Sequence, residues 1–232
     1  MIFDSRLSRR ATLASLGATM FIRPGFADES SPVAVGDLAD NKLARAFESA
    51  PHELPNVSIT GPNGDRPISE IIKGRTVFMP LWAEWCAPCL IELSDFARLQ
   101  EVYGNDKFAI IPILTFTRRR FTPQLLGDFL KLVRATGFEP LMEANYGHQL
   151  ASTMAVSPAG VALPCNVLIA PSGRVVGREI SLQRIDDPAD SAKRTNIDRL
   201  NDAMIGKTQS LWGTKEGDDF ASCISGGFVK FE

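Results

Sequence analysis

The sequence predicts an α/β domain built on a parallel pair of strands, and three observations carry that prediction. An apolar run beginning Thr76-Val77-Phe78-Met79 and ending at Trp82 reads as a buried strand, after which Leu93, Phe96, Leu99 and Tyr103 recur at helical spacing. A second apolar run, Phe108 to Phe116, precedes a second helical pattern through Leu125, Phe129 and Val133. At the junction of the first strand and helix stands Cys86-Ala87-Pro88-Cys89. Strand alternating with helix argues for a βαβ unit, and a right-handed crossover sets the ends of both strands on one edge of the sheet.

In chain order, residues 1–27 read as an export signal: Arg9-Arg10, a mildly apolar run from Ala11 to Ile22, then Gly25-Phe26-Ala27 as a small-residue cleavage site. The paired arginines resemble a twin-arginine signal, although Thr12 stands where that motif carries an aromatic residue. An ordinary secretory signal and an uncleaved anchor are the alternatives. Residues 28–54 are polar and proline-punctuated, with a weak helical pattern at Leu38, Leu43 and Phe47, and read as a lead-in. The main domain is expected over residues 55–206. It starts with Val57 to Thr60, the turn signal Gly61-Pro62-Asn63-Gly64, and Pro67 to Ile72 as a short hairpin or strand-turn-helix.

After the first central strand, its helix ends near Gly104. Thr122-Pro123 is a cap with proline at the first helical position, and that helix runs to Gly137. A short helix is expected around His148 to Met154, then a strand Asn166 to Ile169, the turn Pro171-Ser172-Gly173, and a returning strand Arg174 to Ile180. A helix over Thr195 to Met204 and a tail, residues 207–232, with a small helix from Lys215 to Ser225, complete the chain. Pro80 and Pro112 interrupt the two central strands, and proline removes a ladder donor, so bulges or shifted strand limits are expected there.

Composition narrows the function classes. With 232 residues, 44% hydrophobic and 22% charged, the chain suits one domain with extensions. A formal net charge of -2 argues against a general nucleic-acid binder. No apolar run approaches the length of a membrane helix. Four cysteines allow three full pairings. The pair Cys86 and Cys89 is spaced to close a small disulfide ring, and a helix N-terminus holds the first as thiolate, a better attacking and leaving group. His52 and His148 are isolated from the cysteines, so neither a metal site nor a cofactor is expected.

Trp82-Ala83-Glu84-Trp85-Cys86-Ala87-Pro88-Cys89 differs from the thioredoxin motif only at Ala87, and Leu163-Pro164 leads into the later hairpin. These pieces resemble a thioredoxin fold with an N-terminal extension, an insert between the Cys-x-x-Cys helix and the cis-Pro loop, and a C-terminal tail. The long separation of Cys89 from Pro164, together with the export signal, is similar to the TlpA/ResA group of periplasmic thiol–disulfide oxidoreductases. The resemblance implies that Cys86 attacks, Cys89 resolves, and Pro164 is cis, with the backbone of Leu163 offered to an extended substrate. Trp85 is expected beside Cys86, shielding it. Glu92, one helical turn after Cys89, matches an acid that some ResA-like proteins place beside their thiols; it is either a partly desolvated proton acceptor or a solvated helix acid. Two residues depart from the pattern: Pro80 stands where thioredoxins carry a buried acid, and Ser94 where the family often has proline.

The same resemblance implies reduction of client protein disulfides, of the cytochrome c maturation or copper-oxidase assembly type, with electrons resupplied by a membrane thiol-electron transporter. The rivals are a DsbA-like oxidant and a non-enzymatic Cu(I) or haem-pathway module using the two thiols as soft ligands. Cys165 reads as a small buried hydrophobe, a third thiol near the site, or a partner of Cys223. Arg118-Arg119-Arg120, on the same edge as Cys86, reads as a solvated turn or as a run that steers an acidic partner. Trp212 is expected to anchor the tail.

Overall fold

The computed structural model describes residues 41–47, 50, 51, 53–180, 183, 184 and 209–226, all within one unit of the chain, Ser31–Glu232. The export signal with its cleavage site, most of the lead-in before residue 41, His52 and the helix expected over Thr195 to Met204 lie outside the described residues.

After a short helix α1 (Lys42–Ala46), strands β1 (Ser58–Gly61) and β2 (Gly64–Pro67) form a hairpin that runs directly into α2 (Ile68–Ile72). Gly64 turns that hairpin at φ 92°, a conformation a side chain would oppose. The central strand β3 (Thr76–Trp82) is buried along its whole length and leads to α3 (Ala87–Tyr103). Strands β4 (Phe108–Ile110) and β5 (Ile113–Leu114) follow, then α4 (Pro123–Leu132). Thr122 caps α4, its hydroxyl oxygen accepting the Leu125 N–H at 3.2 Å. Next come β6 (Leu141–Glu143), α5 (Gln149–Met154), the small ribbon β7 (Val156–Ser157) and β8 (Gly160–Val161), and the hairpin β9 (Cys165–Ile169) and β10 (Val175–Ile180). A second ribbon, β11 (Gln183–Arg184) and β12 (Gln209–Ser210), precedes α6 (Lys215–Ser225).

The main sheet runs in the order β10, β9, β3, β5, β6, β1, β2, with β4 also paired to β3. The β3–β4, β3–β5 and β5–β6 pairs are parallel and the others antiparallel. Strand alternation divides two cores: Phe78 and Trp82 face α3, α4 and α6, whereas Val77, Met79 and Leu81 face α2 and α5. Strand β6 was not expected. Three residues are too few to display a period of two, and β6 takes the place beside β5 that leaves the β1–β2 hairpin at the edge.

The two strand prolines need no bulge. Thr76 pairs with Phe108 and Trp82 with Leu114, the same offset at both ends of the strand, which sets Pro80 opposite Pro112. Pro112 instead splits the expected single strand into β4 and β5. The ladder resumes on either side, with Phe78 C=O accepting the Ile111 N–H and Trp82 C=O accepting the Thr115 N–H, both at 2.9 Å. On its other flank β3 stays paired through Pro80, which lies opposite Asn166 of β9.

Residues on both sides of the main domain enter the core. Leu43 of α1 and Phe220 of α6 are fully buried, and the Trp212 ring packs edge-on against Phe78 at 4.6 Å and Phe96 at 4.9 Å. Of the readings open for Cys165, the bridge to Cys223 does not form. Cys165 is buried on the α5 face, its thiol directed to the Met154 carbonyl at 3.4 Å, whereas Cys223 sits on α6, so the sheet separates the two sulfurs. Among the described residues no helix is long and apolar enough to cross a membrane.

Candidate functional site

Strand β3 ends in a tight turn in which the Cys86 N–H reaches the Ala83 carbonyl at 3.0 Å, so the chain enters α3 with Cys86 as its N-cap. Proline at 88 suits the first helical turn, where N–H groups have no partner within the helix. The Cys86 sulfur accepts one of those orphan donors, the Cys89 N–H, at 3.4 Å. Cys86 and Cys89 are joined by a disulfide, their Cα atoms 5.3 Å apart. When the bridge opens, the same N–H and the positive helix end favour the Cys86 thiolate. Both residues are buried by accessible area, Cys86 at 4% and Cys89 at 1%.

The Leu163–Pro164 bond is cis, and Pro164 is buried. Antiparallel pairing of Leu81 with Cys165 brings residues 163 and 164 to the end of β3 from which the Cys86 turn departs. The dithiol and this loop therefore share one end of two adjacent strands.

Beneath the dithiol lies a buried polar row. Glu92, the next turn of α3 after Cys89, is completely buried, which excludes the solvated helix acid. The Asn166 side-chain N–H₂ donates to Glu92 Oε2 at 3.2 Å and to Glu179 Oε2 at 2.7 Å. Asn166 lies opposite Pro80 in one direction and Glu179 in the other, so the three occupy one row across β3, β9 and β10. Burial, reinforced by the negative charge of Glu179, holds the Glu92 carboxyl well above its usual pKa; the Asn166 hydrogen bond pulls weakly the other way. Glu92 Oε1 has no hydrogen-bond partner. The acid absent at Pro80 thus has a counterpart two strands away.

On the outer side, the Trp85 indole N–H donates to the Phe116 carbonyl at 2.9 Å, and the two rings meet edge-on at 6.0 Å. Phe116 in turn meets His148 edge-on at 5.5 Å, which uses that histidine in an aromatic contact. The Arg118 guanidinium lies 4.5 Å above the Trp85 ring, and its backbone N–H donates to Glu84 Oε1 at 2.8 Å. Among the described residues no group of three or more His, Cys, Asp or Glu is placed to hold a metal ion.

The residues singled out in sequence, Cys86, Cys89, Glu92, Trp85, Leu163 and Pro164, thus gather at one sheet end and one helix start. Asn166 and Glu179 were missed. A glutamate inside the run Arg174 to Ile180 was the available signal, but alternation alone does not say which face it takes.

No family model matches the chain. Over 61 residues it is 31% identical to the thioredoxin-like protein YneN of Bacillus subtilis, an alignment spanning 26% of this chain and only 35% of that protein. Over 131 residues it is 28% identical to the thiol-disulfide oxidoreductase ResA of Bacillus thuringiensis, spanning 56% of this chain and 69% of that one. ResA of Bacillus subtilis is 24% identical over 124 residues, 53% of this chain and 63% of that one. Among solved structures, a putative thiol:disulfide interchange protein DsbE from Chlorobium tepidum superimposes with a TM-score of 0.46 at 20% identity, covering 68% of this chain and 96% of that one.

Proposed function

We propose that this chain, a TlpA/ResA-like member of the thioredoxin family, is a thiol–disulfide oxidoreductase that reduces disulfides of client proteins outside the cytoplasm. The observation that carries the reading is the Cys86–Cys89 disulfide at the start of α3 with a buried, protonation-prone carboxyl one turn further on. In the reduced protein the Cys86 thiolate attacks a client disulfide, forming a mixed disulfide and releasing one client thiolate. Cys89 then gives its proton to the Glu92 carboxylate and attacks Cys86 Sγ. The second client thiolate leaves, the Cys86–Cys89 bond forms, and two electrons have passed to the client. A carboxyl whose affinity for a proton is raised toward that of a thiol exchanges the proton with little loss of driving force.

Trp85 and the Leu163–Pro164 loop flank Cys86 and receive the client chain. The N-terminal arginine pair and small-residue cleavage site support export to the periplasm. The resemblance to the TlpA/ResA group supports cytochrome c maturation or copper-oxidase assembly as the client type, and a membrane thiol-electron transporter as electron donor. Equilibration of the pair with a glutathione buffer tests the direction: the expected potential lies below about -200 mV, and a strongly oxidising pair overturns reduction as the physiological direction. Cys86→Ser is expected to abolish exchange. Cys89→Ser is expected to accumulate a client held on Cys86, and failure to trap any disulfide-linked protein counts against the attacking role of Cys86.

A further inference from the structure

Trp85 directly precedes Cys86 and Leu90 directly follows Cys89, and both line an open groove of about 430 Å³. Its floor is completed by Phe129, Leu132 and Val133 of the α4 end, with Leu132 80% exposed. Arg118 and Arg119 line it as well. Neither they nor Arg120 makes an ion pair among the described residues, whereas Arg66, Arg98, Lys131 and Lys215 each pair with a carboxylate. Glu84 also lines the groove; its Oε1 accepts the Arg118 backbone N–H and its Oε2 has no hydrogen-bond partner, so the two arginines leave the charged lining cationic by one. In a chain whose formal net charge is -2, this is a local concentration of cations beside an apolar trough.

We infer that this groove receives the segment of a client polypeptide next to its disulfide, and that it selects a segment with an apolar residue in the trough and acidic side chains against Arg118 and Arg119. The inference rests on the oxidoreductase reading above and adds the class of substrate to it. Flanking both cysteines in sequence, the groove holds the chain that carries the target sulfur rather than a detached ligand. None of its lining residues belongs to the Leu163–Pro164 loop. Arg118 is already stacked on Trp85, so part of the cost of ordering its long side chain is met before a client arrives. Unpaired cations facing an acidic segment raise the encounter rate, and like charge on the segment lowers it.

The test uses the full chain in its reduced form and two symmetrical peptide disulfides. In both, cysteine is flanked by leucine; the outer residues are glutamates in one and lysines in the other. Each peptide disulfide takes two electrons from the dithiol and yields two peptide thiols. At low ionic strength the glutamate peptide is expected to react about tenfold faster or more, and the ratio is expected to fall toward one in high salt. The Arg118→Glu/Arg119→Glu double variant reverses the order, and Leu132→Ser slows both peptides. A ratio near one in the unmodified chain, or a ratio unchanged by the double variant, overturns the inference. Neutral 2-hydroxyethyl disulfide, which carries no charge and no apolar side chain, separates the two levels. If the unmodified chain reduces it but does not discriminate between the peptides, only the groove assignment fails. If it is not reduced at all, the oxidoreductase reading fails and the groove assignment with it.

Discussion

Two glutamates of this protein are both buried and differently employed. Glu143, at the end of β6, accepts hydrogen bonds from the Thr115 hydroxyl at 2.8 Å and from the backbone N–H groups of Gln149 at 2.6 Å and Leu150 at 3.3 Å. It serves as the cap of α5, whose N-cap residue His148 supplies no side-chain bond. Glu92 accepts one hydrogen bond, from Asn166, and its other oxygen has none. Its further neighbour is a second carboxyl, Glu179, reached through the same amide. Burial alone therefore does not mark a reactive acid. A carboxylate supplied with three donors ties the elements around it together; one short of donors and facing like charge binds a proton readily and can exchange it.

The comparison is broken most directly by exchanging each acid for its amide. Glu92→Gln is expected to slow release of the mixed disulfide by roughly 10- to 100-fold, read by single-turnover kinetics, because Cys89 loses its proton acceptor. Since the Glu92 pKa is raised in the folded state, its contribution to stability is present at pH below its unfolded value and is lost as pH rises through the folded one. Glu92→Gln should accordingly flatten the decline of melting temperature as pH rises above 4.5. Glu143→Gln is expected to do the reverse: about 2 kcal/mol of stability lost on denaturant unfolding, with exchange rates within about twofold. Equal slowing of exchange by the two variants would remove the distinction.

A finer test moves the Glu92 proton without touching Glu92. Glu179→Gln takes away the neighbouring charge and should shift the corresponding limb of the pH–rate profile downward. Asn166→Leu removes the hydrogen bond that favours the anion and should shift it upward. Shifts of the same sign would show that Glu92 does not control the profile.

The smallest expected effect concerns Asp95, one turn further along the same helix, whose charge adds only the last and smallest contribution to the raised Glu92 pKa. Burial raises its pKa from 3.8 to about 6, with Arg98 opposing and Asp218 adding to the shift. Its contribution to stability is complete below pH 3.8 and is lost as pH climbs to about 6. Asp95→Asn should abolish that slope and stabilise the protein at pH 7 by about 1 kcal/mol, reduced from the full linkage value because solvent screens a half-buried group. Thermal melts at pH 4 and pH 7 read the difference.

Much of the α3 side of the site was legible in the residues themselves. The Cys-x-x-Cys spacing, the proline in the first turn, and Glu92 one turn on are local relations that a helix converts directly into geometry. The limits of β3 and α6 were legible for the same reason, β3 by a continuous apolar run and α6 by its amphipathic pattern with Gly226 at its end. Strand β6, the split at Pro112 and the packing of Trp212 among Phe78 and Phe96 were not. Each depends on which distant segment lies alongside.

By itself the sequence determined that a dithiol would stand at a helix start with a carboxyl one turn away, because those residues lie within seven positions of one another. It did not determine the environment of that carboxyl. Glu179 reaches it only because the β10–β9 register shifts between Val175, opposite Ile169, and Gly177, opposite Leu168. That extra residue reverses the alternation. Val175 faces the α5 core, but Glu179, four residues on, lies beside Asn166 under α3. Without the bulge the carboxylate would face the opposite core and Arg178 would point toward the dithiol helix. A helix carries its spacing with it wherever it packs; a strand learns which face is which from its neighbour.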